Sequence, residues 1–196
     1  MKRMYFLLFP LLLALGACGE NESETPCAPL IGGGSYCLQP TTALAPFDVQ
    51  QKVEATFRGR RETMIAEIES DAEGIRFVGL TPFGQKLLQI AYDNRAASAA
   101  TLPDRRISPA LLIALLQIAL WPADAVRAGL EEPLTLDDGA GRRRILNRGE
   151  ATISIDYRGA QPPYRGLRIS VPAADLELEI ETLEALDALA TNGKES

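Results

Sequence analysis

From Val49 onward the chain alternates between apolar and polar residues. Period two runs through "VQQKVEATF" (Val49–Phe57), "ETMIAEIES" (Glu62–Ser70), "GIRFVGLT" (Gly74–Thr81) and "QKLLQIAYD" (Gln85–Asp93). Alternation over stretches of this length, bounded by Gly, Asp, Asn or Pro, predicts β-strands with one buried face. Links as short as "RGRR" (Arg58–Arg61) and "SDAEG" (Ser70–Gly74) predict antiparallel hairpins. A weaker strand falls on Ala96–Leu102. The pattern returns in "LTLDD" (Leu134–Asp138), "RRRILN" (Arg142–Asn147), "EATISIDYR" (Glu150–Arg158), "GLRISVP" (Gly166–Pro172) and "DLELEIETL" (Asp175–Leu183). In the last of these Leu176, Leu178 and Ile180 face one way and Glu177, Glu179 and Glu181 the other, so one face is dry and the other wet.

Between the two groups of strands the period changes. "PALLIALLQIALWP" (Pro109–Pro122) holds a single polar side chain, Gln117. Ser108 suits an N-cap and Pro109 the first helical position, so a helix is expected up to Trp121, with a second short helix from Pro122 to about Gly129. At about 1.5 Å per residue the first helix is about 20 Å long, too short for a hydrocarbon core of about 30 Å. Being apolar all round, it must be covered on more than one side, and the dry face of the sheet is the available partner. At about 1.5–3 kcal/mol per fully buried large side chain, its leucines, isoleucines and Trp121 strongly drive that docking. The expected fold class is therefore α+β: a curved antiparallel β-sheet, a half-barrel, with apolar helices packed on its concave face. Two readings follow. Either the helix fills an ordinary core, or it lids a cavity for an acyl chain, with Leu112, Leu115, Leu116 and Trp121 facing Phe77 and Leu88 of the sheet.

The start of the chain is built differently. "MKRMYFLLFPLLLALGAC" carries Lys2 and Arg3, an apolar run, and small residues before Cys18, the layout of an export signal over residues 1–17. "LGAC" (Leu15–Cys18) resembles the bacterial lipobox, which implies cleavage before Cys18, acylation of that residue and a stable membrane anchor. Gly19, rather than an aspartate, implies the outer membrane by the enterobacterial sorting pattern. Residues 18–46, rich in Gly, Pro, Ser, Thr and acids, are expected to be the lipidated cysteine and a tether. The domain would follow over residues 47–183, and residues 184–196 form a tail that is either a short helix or unstructured.

Composition narrows the chemistry. Removing residues 1–17 leaves 179 of the 196 residues, and the loss of Lys2 and Arg3 moves the formal net charge from −6 to −8. That is enough chain for one core, and too acidic for a nucleic-acid partner. In an oxidising compartment Cys27 and Cys37 are first read as a disulfide closing "CAPLIGGGSYC"; two free thiols or a metal pair are the alternatives. There is no histidine, which removes triads of the usual type, most zinc hydrolase sites and the commonest neutral-pH base. No paired carboxylates stand out, and Gly32–Gly34 lacks the context of a phosphate loop. No catalytic residue, metal or cofactor is expected. Arg142, Arg143 and Arg144, with Arg148 nearby, form the densest basic cluster, either facing anionic headgroups or solvating a hairpin end, with Arg143 on the strand face opposite its neighbours.

"GIRFVGLTPFGQKLLQIAYD", "PALLIALLQIALWPADAVRAGL", the Arg-containing hairpin and the closing "LELEIETL" together resemble an uncharacterised family of bacterial outer-membrane lipoproteins. The most specific pieces are "GLTPFGQ" (Gly79–Gln85) and "IALWP" (Ile118–Pro122), and the likeness covers about Phe47–Leu183. That family accompanies aryl polyene gene clusters and is similar to the LolA and LolB lipoprotein carriers. The resemblance implies a non-enzymatic, monomeric lipoprotein facing the periplasm. It would bind a hydrophobic acyl or polyene ligand and assist its transport or membrane placement, with possible periplasmic protein partners. It also implies a membrane or cargo contact for Phe83, at the tip of the "TPFGQ" turn. The alternative is a structural scaffold lipoprotein with a filled core.

Overall fold

In the computed structural model the described residues are 26–104 and 107–187. The expected signal segment, Cys18 and residues 188–196 of the expected tail lie outside them. Strands run over β1 (Cys27–Pro29), β2 (Ser35–Cys37), β3 (Phe47–Phe57), β4 (Arg60–Ser70), β5 (Ile75–Leu80), β6 (Lys86–Tyr92) and β7 (Ala97–Thr101). Two helices follow, α1 (Pro109–Leu120) and α2 (Ala123–Gly129), then β8 (Leu134–Gly139), β9 (Arg142–Asn147), β10 (Glu150–Arg158), β11 (Gly166–Val171) and β12 (Leu176–Asp187).

Ten strands form one sheet in the order β7-β6-β5-β4-β3-β12-β11-β10-β9-β8, antiparallel throughout. It consists of two five-stranded meanders joined where β3 meets β12. Helices α1 and α2 are the crossover that carries the chain from one edge strand, β7, to the other, β8.

That connection requires curvature. Laid flat, ten strands would span about 43 Å at about 4.8 Å per spacing, whereas a 12-residue helix is about 18 Å long. Yet α1 packs on β6 and β7 near one edge, and its final carbonyls take hydrogen bonds from Arg143 on β9 and Tyr157 on β10 near the other. One helix reaches both only because the sheet curls around it. The edges β7 and β8 do not pair, so the result is an open half-barrel with α1 against its concave face, as the alternation and the apolar helix predicted.

The segment before β3 differs from expectation. Residues 26–46 are not a tether: Ala28, Leu30, Tyr36 and Leu38 belong to the core, and β1 packs on α1. A disulfide joins Cys27 to Cys37 across the β1–β2 hairpin. Apolar residues two apart on each arm, Ala28 and Leu30, Tyr36 and Leu38, give the hairpin a dry face, and that face covers the side of α1 turned away from the sheet. Gly129 of α2 allows the close approach, since a Cβ there would lie 2.5 Å from the Tyr36 ring. At the other end of the domain, β12 runs on through Asp187, so the first residues of the expected tail are strand.

Candidate functional site

Between α1 and the concave face lies a cavity of about 130 Å³. Sixteen residues line it, and Gln51 is the one polar member. Alternation explains the dryness: Val53 on β3, Ile68 on β4, Phe77 on β5, Leu88 and Ile90 on β6, Ile169 on β11 and Ile180 on β12 share the inward face. From the helix come Leu112, Leu115, Leu116, Ala119 and Leu120. Gln51 is buried, and its amide donates to Thr182 Oγ1 at 3.2 Å; the Thr182 hydroxyl donates in turn to the Tyr164 carbonyl at 2.6 Å.

Of the residues expected around such a cavity, Leu112, Leu115, Leu116, Phe77 and Leu88 come together in its lining. Trp121 does not. It is buried on the other side of the helix end, with its indole N–H donating to the Pro40 carbonyl at 3.1 Å. Val53, Met64, Ile68, Ile90, Leu167 and Ile169 were not singled out in the sequence, and Leu178 and Ile180 only as the dry face of their strand, because alternation marks a face and says nothing of which residues on it meet the helix.

The end of α1, from Gln117 on, is buried and pinned by polar contacts. Gln117 forms a reciprocal pair with the backbone of Gln39, accepting from its N–H at 2.8 Å and donating to its carbonyl at 2.7 Å. A helix leaves its last carbonyls without intrahelical partners. Here Trp121 N–H bonds the Gln117 carbonyl, Arg143 Nη1 donates to the Ile118 and Trp121 carbonyls at 2.8 Å each, and the Tyr157 hydroxyl donates to the Ala119 carbonyl at 2.8 Å. Along one face of the helix Leu111, Leu112, Leu115 and Leu116 form a stripe that is only half-buried, whereas Ile113 and Ala114 between them are fully buried, and Leu112, Leu115 and Leu116 of that stripe line the cavity.

The arginine cluster is therefore split, and neither sequence reading holds for Arg143. It is 4% exposed and faces inward with Ile145, two residues along the same strand. Asp138 accepts from its Nε at 3.0 Å and from its Nη2 at 3.1 Å. Burial alone would lower the Arg143 pKa; the Asp138 carboxylate, with Tyr157 and Tyr164, outweighs it and holds the guanidinium above its ordinary value. The charge also sits at the negative end of the α1 dipole. Arg144 points outward and pairs with Asp137 at 2.6 Å, and Arg142 and Arg148 are exposed.

Phe83 heads the turn between β5 and β6 and is 93% exposed. The turn closes through Thr81 N–H to the Gln85 carbonyl at 2.7 Å and Gln85 N–H to Thr81 Oγ1 at 3.0 Å, with Gly84 at φ +81°. Ligand atoms of Cys27, Cys37 and Glu131 lie within 4.8 Å of one another, but the disulfide occupies both sulfurs and leaves no thiolate for a metal. Among the described residues no helix is long and apolar enough to cross a membrane.

One protein-family sequence model, described as "Protein of unknown function (DUF3261)", matches residues 48–184. Comparison with curated proteins finds no match. Among solved structures the fold is similar to the crystal structure of the LolA superfamily protein NE2245 from Nitrosomonas europaea. The identity is 7% and the TM-score 0.43, over 76% of this chain and 93% of that one.

Proposed function

The chain belongs to a protein family of unknown function, DUF3261, and we propose that in it the dry space between α1 and the curved sheet holds a hydrophobic acyl or polyene-type chain. The protein takes up this ligand and assists its transport or placement in a membrane without chemical conversion, as a lipoprotein anchored through acylated Cys18 to the outer membrane and facing the periplasm. The sequence resemblance extends the proposal to aryl polyene lipids.

The observation that supports this reading is the cavity: sixteen lining residues, one of them polar, against a helix whose C-terminal end is pinned by polar contacts. Its size sets the mechanism. At about 130 Å³ it is comparable to dry cavities of roughly 150 Å³ that take a benzene ring, and smaller than the roughly 300–1,000 Å³ of pockets for larger ligands. It accepts the end of a chain as it stands, and the remainder enters as α1 up to Leu116 moves away from the sheet. Displacement exposes Leu112, Leu115 and Leu116, already half-buried, while Gln117, Arg143 and Tyr157 hold the hinge. Phe83 contacts the membrane or the cargo.

The same small volume favours one competing reading, a scaffold lipoprotein whose core is simply filled. Uptake of a fluorescent fatty acid by the soluble chain, residues 19–196, separates the two. In the ligand reading the wild type takes up the probe and a folded Leu115→Asp variant does not; equal uptake by both removes the cavity as the binding site.

A further inference from the structure

The hairpin joining β3 to β4 ends in Phe57-Arg58-Gly59-Arg60-Arg61, and it projects past its neighbour. Strand β5 ends at Leu80, opposite Ile65, while β4 continues from there to Arg60. The β5–β6 turn lies beside this extension and carries Phe83, with Lys86 at its base. Phe57 is 47% exposed and Phe83 93% exposed, and Arg58, Arg60, Arg61 and Lys86 are all exposed. Arg58 N–H donates to the Asp175 carbonyl at 3.1 Å, which ties the tip to the β11–β12 turn, and its guanidinium sits 5.1 Å from the centre of the Phe57 ring.

Three features set this rim apart. First, its cations are not neutralised by ion pairs: among the described residues Arg76, Arg127, Arg143, Arg144, Arg158 and Arg168 pair with carboxylates, and Arg58, Arg60 and Arg61 do not. Glu62, Asp175 and Glu177 are the acids at the same place, and Glu177 is already paired with Arg168, so four cations face two acids outside that pair in a chain of net charge −6. Second, Arg58 stands where the turn would favour another residue. Both central positions are left-handed, φ +50° at Arg58 and +74° at Gly59, a geometry that Asn, Asp or Gly adopts more readily. The β9–β10 turn at the same end of the sheet repeats this with Arg148 at +52° and Gly149 at +89°. Third, the rim borders the cavity. Val53 and Met64, which line it, lie on the two strands that carry the tip, and Val53 is on the same face of β3 as Phe57.

We infer that this rim is a docking surface for anionic phospholipid, with Arg58, Arg60, Arg61 and Lys86 on the headgroup phosphates and Phe57 and Phe83 entering the interface between them. Cations gain from a negative lipid surface only within a Debye length, and exposed hairpin tips at one end of the sheet can bring them that close. Exposed aromatic rings next to them supply the apolar part of the contact. The inference goes beyond the cavity reading, since it holds whether or not a ligand occupies the core.

The test uses the full lipid-anchored chain, reconstituted into phosphatidylcholine vesicles with and without phosphatidylglycerol, so that anchoring is common to both. A Phe83→Trp variant reports depth through quenching by phosphatidylcholine with brominated acyl chains. The unsubstituted chain, whose one tryptophan is buried, supplies the background. Quenching is expected to rise when phosphatidylglycerol is present and to fall back in high salt. Replacing Arg58, Arg60 and Arg61 with Gln should remove that rise, because three surface charges change interfacial partition on the order of a hundredfold. Removing Arg95 and Arg165, at the opposite strand ends, should leave it intact. Quenching that ignores phosphatidylglycerol, or that survives the triple substitution, overturns the inference. Fatty-acid uptake by the triple variant stays at the wild-type level if rim and cavity are separate, so a failed cavity and a failed rim give different results.

Discussion

Arg143 and Arg144 are adjacent, identical in type, and each paired with an aspartate, yet they should differ greatly in what they contribute to stability. Arg143→Met removes the donor from the Ile118 carbonyl of α1 and the Trp121 carbonyl just after it, and leaves Asp138 without its partner. An unsatisfied buried polar group costs about 1–3 kcal/mol, and losing one member of a buried ion pair about 3–5 kcal/mol. The Arg143 side chain is 5% exposed and Asp138 22% exposed, so solvent recovers little on the arginine side and part on the other. We expect a loss of about 3–5 kcal/mol, which for a domain of this size lowers the melting temperature on the order of 10 °C. Arg144→Met breaks a pair whose members are 35% and 46% exposed, and the cost should be about 0–1 kcal/mol. Thermal unfolding of both variants followed by circular dichroism makes the comparison. If Arg143→Met melts within a couple of degrees of Arg144→Met, the pinning of the α1 C-terminus is not a stabilising feature of the fold.

Further outcomes follow from the same structure. Burial raises the phenol pKa of Tyr36 and Tyr157 and pushes Tyr92 up to about 12, so the folded state holds these protons more tightly than the unfolded one. Stability should be intact below about pH 10 and fall as the pH rises toward about 12, seen in urea unfolding at stepped pH. Gly129→Ala places a Cβ 2.5 Å from the Tyr36 ring and 2.6 Å from the Cys37 carbonyl and should cost about 1–3 kcal/mol, whereas Gly139→Ala meets nothing within 4 Å and should be silent. Replacing Cys27 and Cys37 with Ser opens a loop of sequence separation 10 and should lower stability by about 3 kcal/mol in the same urea assay.

Much of the sheet was legible because alternation is a local signal. Leu176, Leu178 and Ile180 against Glu177, Glu179 and Glu181 identify a half-buried strand with no knowledge of its neighbours, and Pro109 and Pro122 bracket α1. Residues 26–46 were misread because glycine and proline content outweighed a weaker pattern. Ala28 and Leu30 on one side of Gly32–Gly34, and Tyr36 and Leu38 on the other, already spell a hairpin with a dry face. Arg143 carried a similar signal, since it shares a strand face with Ile145; a charge at that position asks for a buried partner, and Asp138 precedes it by one turn. The size of the cavity had no local signature. It depends on how far ten strands curl around one helix, which is set by pairings as distant as β3 with β12 and by the crossover from β7 to β8.

The most direct test of the account is native mass spectrometry of the soluble chain, residues 19–196, purified from a membrane-containing bacterial lysate. A discrete added mass of lipid size, lost in the Leu115→Asp variant, is the predicted result and would begin to identify the cargo. The bare protein mass, together with no uptake of an apolar dye, would contradict it and leave "PALLIALLQIALWP" as the filling of a closed core.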